Sequence, residues 1–282
     1  MTKSIAILSD RVGWEERQIV DRAAAMGMRT EWINDASLPI DQHGIRALEP
    51  FDVALVRSKS YVRGGLIAAS GSTGNTRMLN TASAIQICEN KLITRQTLSR
   101  AGIPVPEYRL VFSRESFREA VEAMRFPVVM KPIYGGLGKR VTLLTDKRTA
   151  ESVFDYVADL GHGFEQACLL EEYMSENSWR VLVVGTRIVA AAEFQPAPGD
   201  WRSNAALGSG HNELELTPKV QQVIRGVVDQ IGPGIYGIDI FRRGDGGVVN
   251  EINHAPGFRG VTEGSGVDVS DEICRYIEGM DL

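Results

Sequence analysis

Short apolar strands alternate with amphipathic helices along most of the chain, and this alternation limits it to mixed α/β architectures. Residues 4–8 form an apolar run, and after a polar turn the next segment carries apolar residues at helical spacing until Gly27 ends it. A second apolar run, residues 51–56, leads into the polar loop 57–60. Residues 1–80 are therefore predicted to form a small open α/β domain whose strands end in polar loops.

Residues 81–175 combine helices with a glycine-containing hairpin. One helix is predicted over residues 80–102, and a second begins at Ser113, a residue type that favours the N-cap position. Strands 128–132 and 141–144 then flank a loop rich in glycine. This order predicts a connecting helix followed by a central α+β subdomain.

Residues 176–282 continue the mixed pattern. A hairpin is predicted over residues 181–192, and Thr217 with the following proline opens a helix. Strands 235–241 and 248–253 form a second hairpin, and a last helix begins near Ser270. We therefore expect a third unit that ends the chain.

Composition and charge exclude several classes of protein. The 282 residues are 43% apolar and 24% charged, as in ordinary globular proteins, which rules out disordered and low-complexity chains. The formal net charge of −5 provides no basic field for nucleic acid or an anionic membrane. No segment reaches the roughly 18 apolar residues of a membrane span. We expect a cytoplasmic protein that binds neither nucleic acid nor membrane.

The cysteines indicate neither a disulfide framework nor a metal cage. Cys88, Cys168 and Cys274 are far apart and form no CxxC pair. Buried free thiols are the expected state.

The loop 134–140 is the first candidate for chemistry. Its glycines can bring backbone N–H groups close to phosphates, and Lys131 adds a positive charge on the strand that leads into it. The alternative is a flexible hairpin tip with solvated Lys139 and Arg140. Neither a GxGxxG pattern after the first strand nor a P-loop pattern is present.

Oxygen ligands recur on the second hairpin. Asp239 lies within an apolar strand, whereas Glu251 and Asn253 are two residues apart and so share one face of the neighbouring strand. Two carboxylates and an amide suit a hard cation that also binds substrate phosphates. The alternative is an acidic edge that faces solvent.

Further polar residues could bind anions. Arg180, Arg202 and Asn204 follow these loops, and a guanidinium matches phosphate or carboxylate, although an arginine on a hairpin is commonly a surface charge. His254 has no metal-ligand spacing and is interpreted as an ordinary hydrogen-bonded histidine.

These motifs together resemble the ATP-grasp carboxylate–amine ligases, specifically their RimK-like and LysX-like branch. The resemblance covers nearly the whole chain and rests on residues 80–106, 127–140, 170–173, 201–204, 237–239 and 249–257. It implies an α/β and α+β protein of the ATP-grasp fold. Residues 1–80 would form an N-terminal open α/β (pre-ATP-grasp) domain, 81–175 a connecting helix and central ATP-grasp subdomain, and 176–282 a C-terminal ATP-grasp subdomain with the metal and substrate sites.

The resemblance also assigns roles to matching residues. The residues that would contact ATP are Lys91, Lys131, Gly135, Gly136 and Gly138, with Glu171, Glu172 and Tyr173 holding adenine through the hinge backbone. Mg²⁺, with Mn²⁺ as an alternative, would bind Asp239, Glu251 and Asn253. The catalytic residues would be Arg180, Arg202 and Asn204, and the substrate contacts Asn204, Phe258 and Arg259.

The implied reaction forms an amide between an acceptor carboxylate, activated as an acyl phosphate, and the amino group of glutamate or an acidic analogue. The acceptor remains open between a small acidic amino-group carrier protein, a pterin, furan or deazaflavin coenzyme, and a ribosomal protein tail. The resemblance also implies a homo-oligomer.

Two positions depart from the branch. Ser178 stands where relatives carry an acidic ribose contact, and Leu207 where they place an arginine. These departures motivate an alternative class, a regulatory module that binds ATP without turnover.

Overall fold

Three separate β-sheets organise the protein in a computed structural model that describes residues 2–60, 62–136, 140–159, 167–196, 199, 201 and 211–281. The N-terminal sheet is parallel with strand order β2-β1-β3-β4, as the predicted open α/β domain requires. Two helices accompany it. Its elements are β1 (Ser4–Ser9), α1 (Trp14–Ala25), β2 (Arg29–Asn34), β3 (Val53–Val56), α2 (Arg63–Gly71) and β4 (Arg77–Leu79).

The central sheet is antiparallel, with strand order β5-β8-β6-β7. The side chain of Ser113 caps its first helix by accepting a hydrogen bond from the Ser116 amide, which confirms the predicted start. Phe117 of that helix stacks on Phe154 of the next, and both cover the sheet. The elements are β5 (Tyr108–Val111), α5 (Arg114–Ala123), β6 (Val128–Pro132), β7 (Thr142–Leu144), α6 (Lys147–Asp159) and β8 (Cys168–Glu172).

The C-terminal sheet is also antiparallel and is buried on both faces. Its strand order is β11-β10-β9-β12-β13. Along β9 (Ser178–Gly185), Val181 and Val183 pack on the side of α7 (Pro218–Ile231), whereas Leu182 and Val184 pack on the side of α1 and of α9 (Val269–Glu278), because side chains alternate along a strand. The elements are β9 (Ser178–Gly185), β10 (Arg187–Phe194), β11 (His211–Glu213), α7 (Pro218–Ile231), β12 (Gly234–Arg243) and β13 (Gly246–Asn253).

The helix predicted over residues 80–102 is two helices, α3 (Ala82–Glu89) and α4 (Lys91–Arg100). Asn90 separates them because its backbone is extended, and its side chain accepts a hydrogen bond from the Ile93 amide as the N-cap of α4. The prediction of a single continuous helix was therefore wrong. The break places Lys91 at the first position of α4.

The chain ends in two further helices, α8 (Arg259–Ser265) and α9 (Val269–Glu278). The sequence did not predict α8. The N-cap of α9 is Asp268, whose carboxylate accepts a hydrogen bond from the Asp271 amide. None of the helices in the described ranges is long and apolar enough to cross a bilayer. The three cysteines are free and buried, as expected.

A candidate ATP-binding active site

A cleft lies between the central and C-terminal sheets. Lys131 of β6 and Glu251 of β13 both line it, so the cationic and anionic residues predicted from separate motifs face one space. Other predicted residues on its wall are Lys91, Gly135, Gly136, Glu171, Glu172 and Tyr173. The motifs therefore converge.

Two lysines form the cationic part of the cleft, Lys91 buried and Lys131 partly buried. Lys131 donates hydrogen bonds to Glu171 Oε2 at 2.7 Å and to Asn250 Oδ1 at 2.9 Å. Lys91 donates to the backbone carbonyl of Gly135 and lies 3.8 Å from Glu251 Oε2. Burial lowers the pKa of Lys91, and the neighbouring Lys131 lowers it further. These two cations supply positive charge where the glycine loop begins.

The glycine loop starts with a conformation that favours glycine. Gly135 has φ of +152°, and a Cβ there would lie 3.2 Å from the Pro132 side chain. The Lys91 ammonium donates to the Gly135 carbonyl, and this hydrogen bond fixes the start of the loop. Gly138 lies outside the described residues.

The hinge segment is Glu171, Glu172 and Tyr173. The Glu172 amide donates to the Glu107 carbonyl at 2.9 Å, so this N–H is already used within the sheet. The side chain of Glu171 forms a bidentate pair with Arg95 of α4, a contact that the sequence did not predict. Tyr173 packs edge-on against Trp201 with ring centroids 6.0 Å apart.

The three predicted metal ligands lie together. Asn253 Nδ2 is 3.3 Å from Asp239 Oδ2 and 3.4 Å from Glu251 Oε1. Asp239 also forms a bidentate pair with Arg180, with two N–O distances of 2.7 Å. Two carboxylates and an amide oxygen suit a hard divalent cation, for which the Asn253 amide must turn its oxygen inward. Among the described residues no group of three or more histidines, cysteines and acidic residues forms a metal cluster.

The two carboxylates differ in their electrostatics. Burial raises the pKa of Asp239, and the nearby Glu251 raises it further, while Arg180 opposes both. For Glu251, burial also acts to raise the pKa, but Lys91, Arg180 and Lys131 outweigh it and lower the pKa. Glu251 therefore ionises more readily than Asp239.

Some predicted residues lie elsewhere. Arg202 and Asn204 are outside the described residues, as is Leu207. Phe258 is 1% exposed and packs edge-on against Trp14, so the prediction that it contacts a substrate is corrected: it is a core residue. Arg259 lies on α8, pairs with Glu263 at 2.8 Å and is 62% exposed. Its role as a substrate contact remains a prediction.

Sequence reasoning missed other residues of the site. Arg95, Asn250 and Trp201 were given no role, because each acts through a partner that is distant in sequence, although Asn250 and Trp201 lie within segments that carry the resemblance. Because Asn250 directly precedes Glu251, regular alternation would place it on the opposite face of β13, but a register shift between Asp239 and Ile240 interrupts the alternation there. Ser178, singled out as a departure, does line the cleft.

Fold and cleft together define the ATP-grasp class of enzymes, which use ATP and a divalent metal ion to join a carboxylate to an amine. Residues 88–277 match the family model described as the RimK-like ATP-grasp domain, and residues 5–87 match the LysX preATP-grasp domain. The chain belongs to the RimK-like ATP-grasp family.

Similar proteins share this organisation over nearly their whole length. The glutamate–LysW ligase ArgX of Sulfolobus acidocaldarius is 26% identical, with 97% of this chain and 98% of the relative covered. A probable alpha-L-glutamate ligase of Serratia proteamaculans is 31% identical, with 97% and 95% covered. The crystal structure of a RimK domain ATP-grasp protein from Sphaerobacter thermophilus superposes with a TM-score of 0.82 at 24% identity, covering 97% and 98%, which supports the fold.

Proposed function

We propose that this enzyme uses ATP and Mg²⁺ to attach glutamate, or a close acidic analogue, to the carboxylate of an acceptor. Mn²⁺ is the alternative metal. The observation that carries the proposal is the combination of cationic and anionic residues at one cleft. Lys91 and Lys131 line it as cations together with the Glu251 carboxylate, and Asp239 and Asn253 lie beside Glu251.

This combination of charges fits a metal-bound nucleotide. Lysine ammonium groups and glycine backbone bind phosphates, whereas hard divalent cations prefer oxygens. Asp239, Glu251 and Asn253 would hold the metal ion, which neutralises charge on the phosphates when bound. Glu172 and Tyr173 would hold adenine through the hinge backbone, without the Glu172 N–H, which donates to the Glu107 carbonyl.

The reaction explains why both sets of residues are needed. A carboxylate is a poor electrophile, so it first takes the γ-phosphoryl group of ATP and becomes an acyl phosphate. The amine of the amino acid then displaces phosphate and leaves an amide. The residues of the chain position the reactants and neutralise charge, and no protein nucleophile is required.

Arg180 is proposed to act on the transferred phosphoryl group. Its guanidinium is held by Asp239 at the metal site, which fixes its orientation. We assign it to the charge that develops on the transferred phosphoryl group. Arg202 and Asn204 are proposed as further contacts to that group and to the substrate.

The acceptor we favour is a small acidic carrier protein. The support is the LysX preATP-grasp match over residues 5–87 and the similarity to a protein named as a glutamate–LysW ligase. A coenzyme of the pterin, furan or deazaflavin type and a ribosomal protein tail are the competing acceptors. We further propose that the protein acts in the cytoplasm, where ATP is available, and that it forms a homo-oligomer, as the resemblance implies.

The test combines the protein with ATP, Mg²⁺, glutamate and each acceptor in turn. Release of ADP that depends on both substrates, together with a mass increase of the acceptor by one glutamyl residue, supports the proposal. ATP binding without ADP formation for every acceptor would instead favour the non-catalytic alternative. An acceptor modified by a different amino acid would overturn only the choice of glutamate.

A further inference from the structure

A buried arginine lies behind the wall of the cleft, separated from it by the side chain of Glu171. Arg95 of α4 is 0% exposed and is not among the residues that line the cleft. Its Nε donates to Glu171 Oε1 at 2.9 Å, and its Nη2 donates to Glu171 Oε2 at 3.0 Å. Whatever it contributes to ligand binding must therefore pass through Glu171.

Glu171 is shared between two cations. Its Oε2 also accepts a hydrogen bond from Lys131 Nζ at 2.7 Å, and its side chain is 1% exposed. Burial alone would raise the pKa of Glu171, but Arg95 and Lys131 outweigh it and lower the pKa to about 2. The carboxylate is thus fully ionised at neutral pH and directly contacts a lysine of the cleft.

The charge of this trio depends on Arg95. Two cations and one anion leave one net positive charge, whereas Lys131 and Glu171 alone would have none. In a site shielded from water, a carboxylate at hydrogen-bond distance would cancel much of the attraction between Lys131 and a phosphate. The bidentate guanidinium of Arg95 balances the charge of the Glu171 carboxylate, so that Lys131 does not have to.

A purely structural role explains the pair less well. Burying an arginine and a glutamate costs desolvation, and apolar residues of similar volume would pack as well at lower cost. The Nη1 of Arg95 is moreover buried without a hydrogen-bond partner among the described residues. The pair is thus costly for packing, and its benefit lies in its charge.

We propose that Arg95 is a positioning residue that neutralises Glu171, so that the positive charge of Lys131 is not cancelled and is available to the phosphates of ATP. This inference rests on the proposed function, because it concerns ATP at the same cleft. It assigns a functional role to a residue that touches neither ATP nor substrate.

The experiment measures dissociation constants for ATP with Mg²⁺ and for adenosine by titration calorimetry on the full chain. For Arg95→Gln we expect about tenfold weaker ATP binding, because Glu171 then pairs with Lys131 alone. Adenosine binding should stay at the native value, since adenosine has no phosphate. Equal losses for both ligands would indicate a distorted cleft and overturn the proposal, as would native ATP affinity.

The double variant R95Q/E171Q provides the rescue. Two amides can hydrogen-bond across the same gap, and Lys131 keeps its charge and its contact with Asn250. We expect ATP affinity within about threefold of the native value, because the predicted adenine contact of Glu171 is made by its backbone, which the substitution retains. A double variant that binds ATP as weakly as R95Q overturns the proposal.

A matched control is Arg57→Gln. Arg57 and Glu16 form another buried pair, each 1% exposed, with an Nε to Oε1 distance of 3.0 Å in the N-terminal domain. This variant should lose stability but keep native ATP affinity. If R95Q fails to fold, Arg95→Lys and the double variant carry the test, and a tenfold loss of ATP affinity in either overturns the proposal.

Failure of the proposed function gives a different result. A native protein that binds no ATP would overturn the proposed function and this inference together. Native ATP binding with unchanged affinity in R95Q would overturn this inference alone.

Discussion

Charge at individual residues gives the cleft a cationic part, proposed to bind phosphates, and an anionic part, proposed to bind the metal ion. Lys91 belongs to both, because it holds the Gly135 carbonyl and lies 3.8 Å from Glu251. Removing one carboxylate should therefore alter metal binding and leave the fold intact.

Replacing Glu251 with glutamine tests the anionic part of the cleft. The amide keeps the shape of the side chain but loses the charge, so the metal concentration for half-maximal activity should rise about tenfold or more. Metal titrations of the ligase reaction provide the measurement. The control is Asp245→Asn. Asp245 is an exposed residue of the β12–β13 turn that pairs with Lys219, and its loss should leave the metal concentration for half-maximal activity unchanged. An unaltered requirement in Glu251→Gln would exclude Glu251 as a ligand.

Glu171 should also make stability depend on pH. Its pKa is about 2 in the folded protein against an ordinary 4.5. Because the folded value is depressed, its contribution is fully present above pH 4.5 and is lost as the pH falls toward 2, on the order of 3 kcal/mol in total. We expect the unfolding free energy of Glu171→Gln to fall less steeply with acidification than that of the native protein.

Urea unfolding at a series of pH values measures this slope. Glu119→Gln, an exposed position on α5, is the control and should keep the native slope. Parallel slopes for the native protein and Glu171→Gln would contradict the ion-pair account.

Among the elements, the junction between α3 and α4 matters most to the site. Asn90 ends one helix and caps the next, and its Nδ2 also donates to Tyr134 Oη at 3.0 Å. The cap fixes the start of α4, where Lys91 enters the cleft.

Asn90→Ala should lower the unfolding free energy by about 1 kcal/mol, because the Ile93 amide loses its acceptor. Asn90→Ser retains a capping oxygen, and we expect a smaller loss. Urea unfolding of both variants compares them directly. If Asn90→Ala were as stable as the native protein, the cap would contribute nothing to stability.

The elements also show how far a sequence can be interpreted. Caps such as Ser113 and Thr217 were predictable because their signal is local. The alternation that places Glu251 and Asn253 on one face was predictable for the same reason. The break at Asn90 was not, since an asparagine in an apolar periodic segment does not reveal whether it caps a helix or lies within one.

Contacts between distant residues account for the remaining differences. Nothing near Arg95 signals a carboxylate 76 residues away. Phe258 follows a glycine in a polar segment that is typical of a loop, and only the packing of Trp14 against it reveals a core position. Pairing across domains is the information that local patterns lack.

For the whole molecule, the N-terminal and C-terminal sheets share one apolar core. Ile19 and Ala23 of α1 lie in the same buried cluster as Ile273 and Ile277 of α9. Asn80 adds polar contacts across the same junction, because its side chain hydrogen-bonds the Ile235 backbone N–H and carbonyl and the His254 carbonyl. The division at residues 80 and 81, which remains a prediction, would therefore cut through a continuous core.

A fragment of residues 81–282 should not fold as a stable unit. Without residues 1–80, the apolar side chains of α9 and of one face of the C-terminal sheet lose their cover and face water. We expect no cooperative thermal transition by circular dichroism and strong binding of a hydrophobic dye, against one cooperative transition for the full chain. Ile273→Ala in the full chain should lower stability by about 2–5 kcal/mol through the same core. A fragment that melts cooperatively at the temperature of the full chain would show that residues 1–80 are an independent domain.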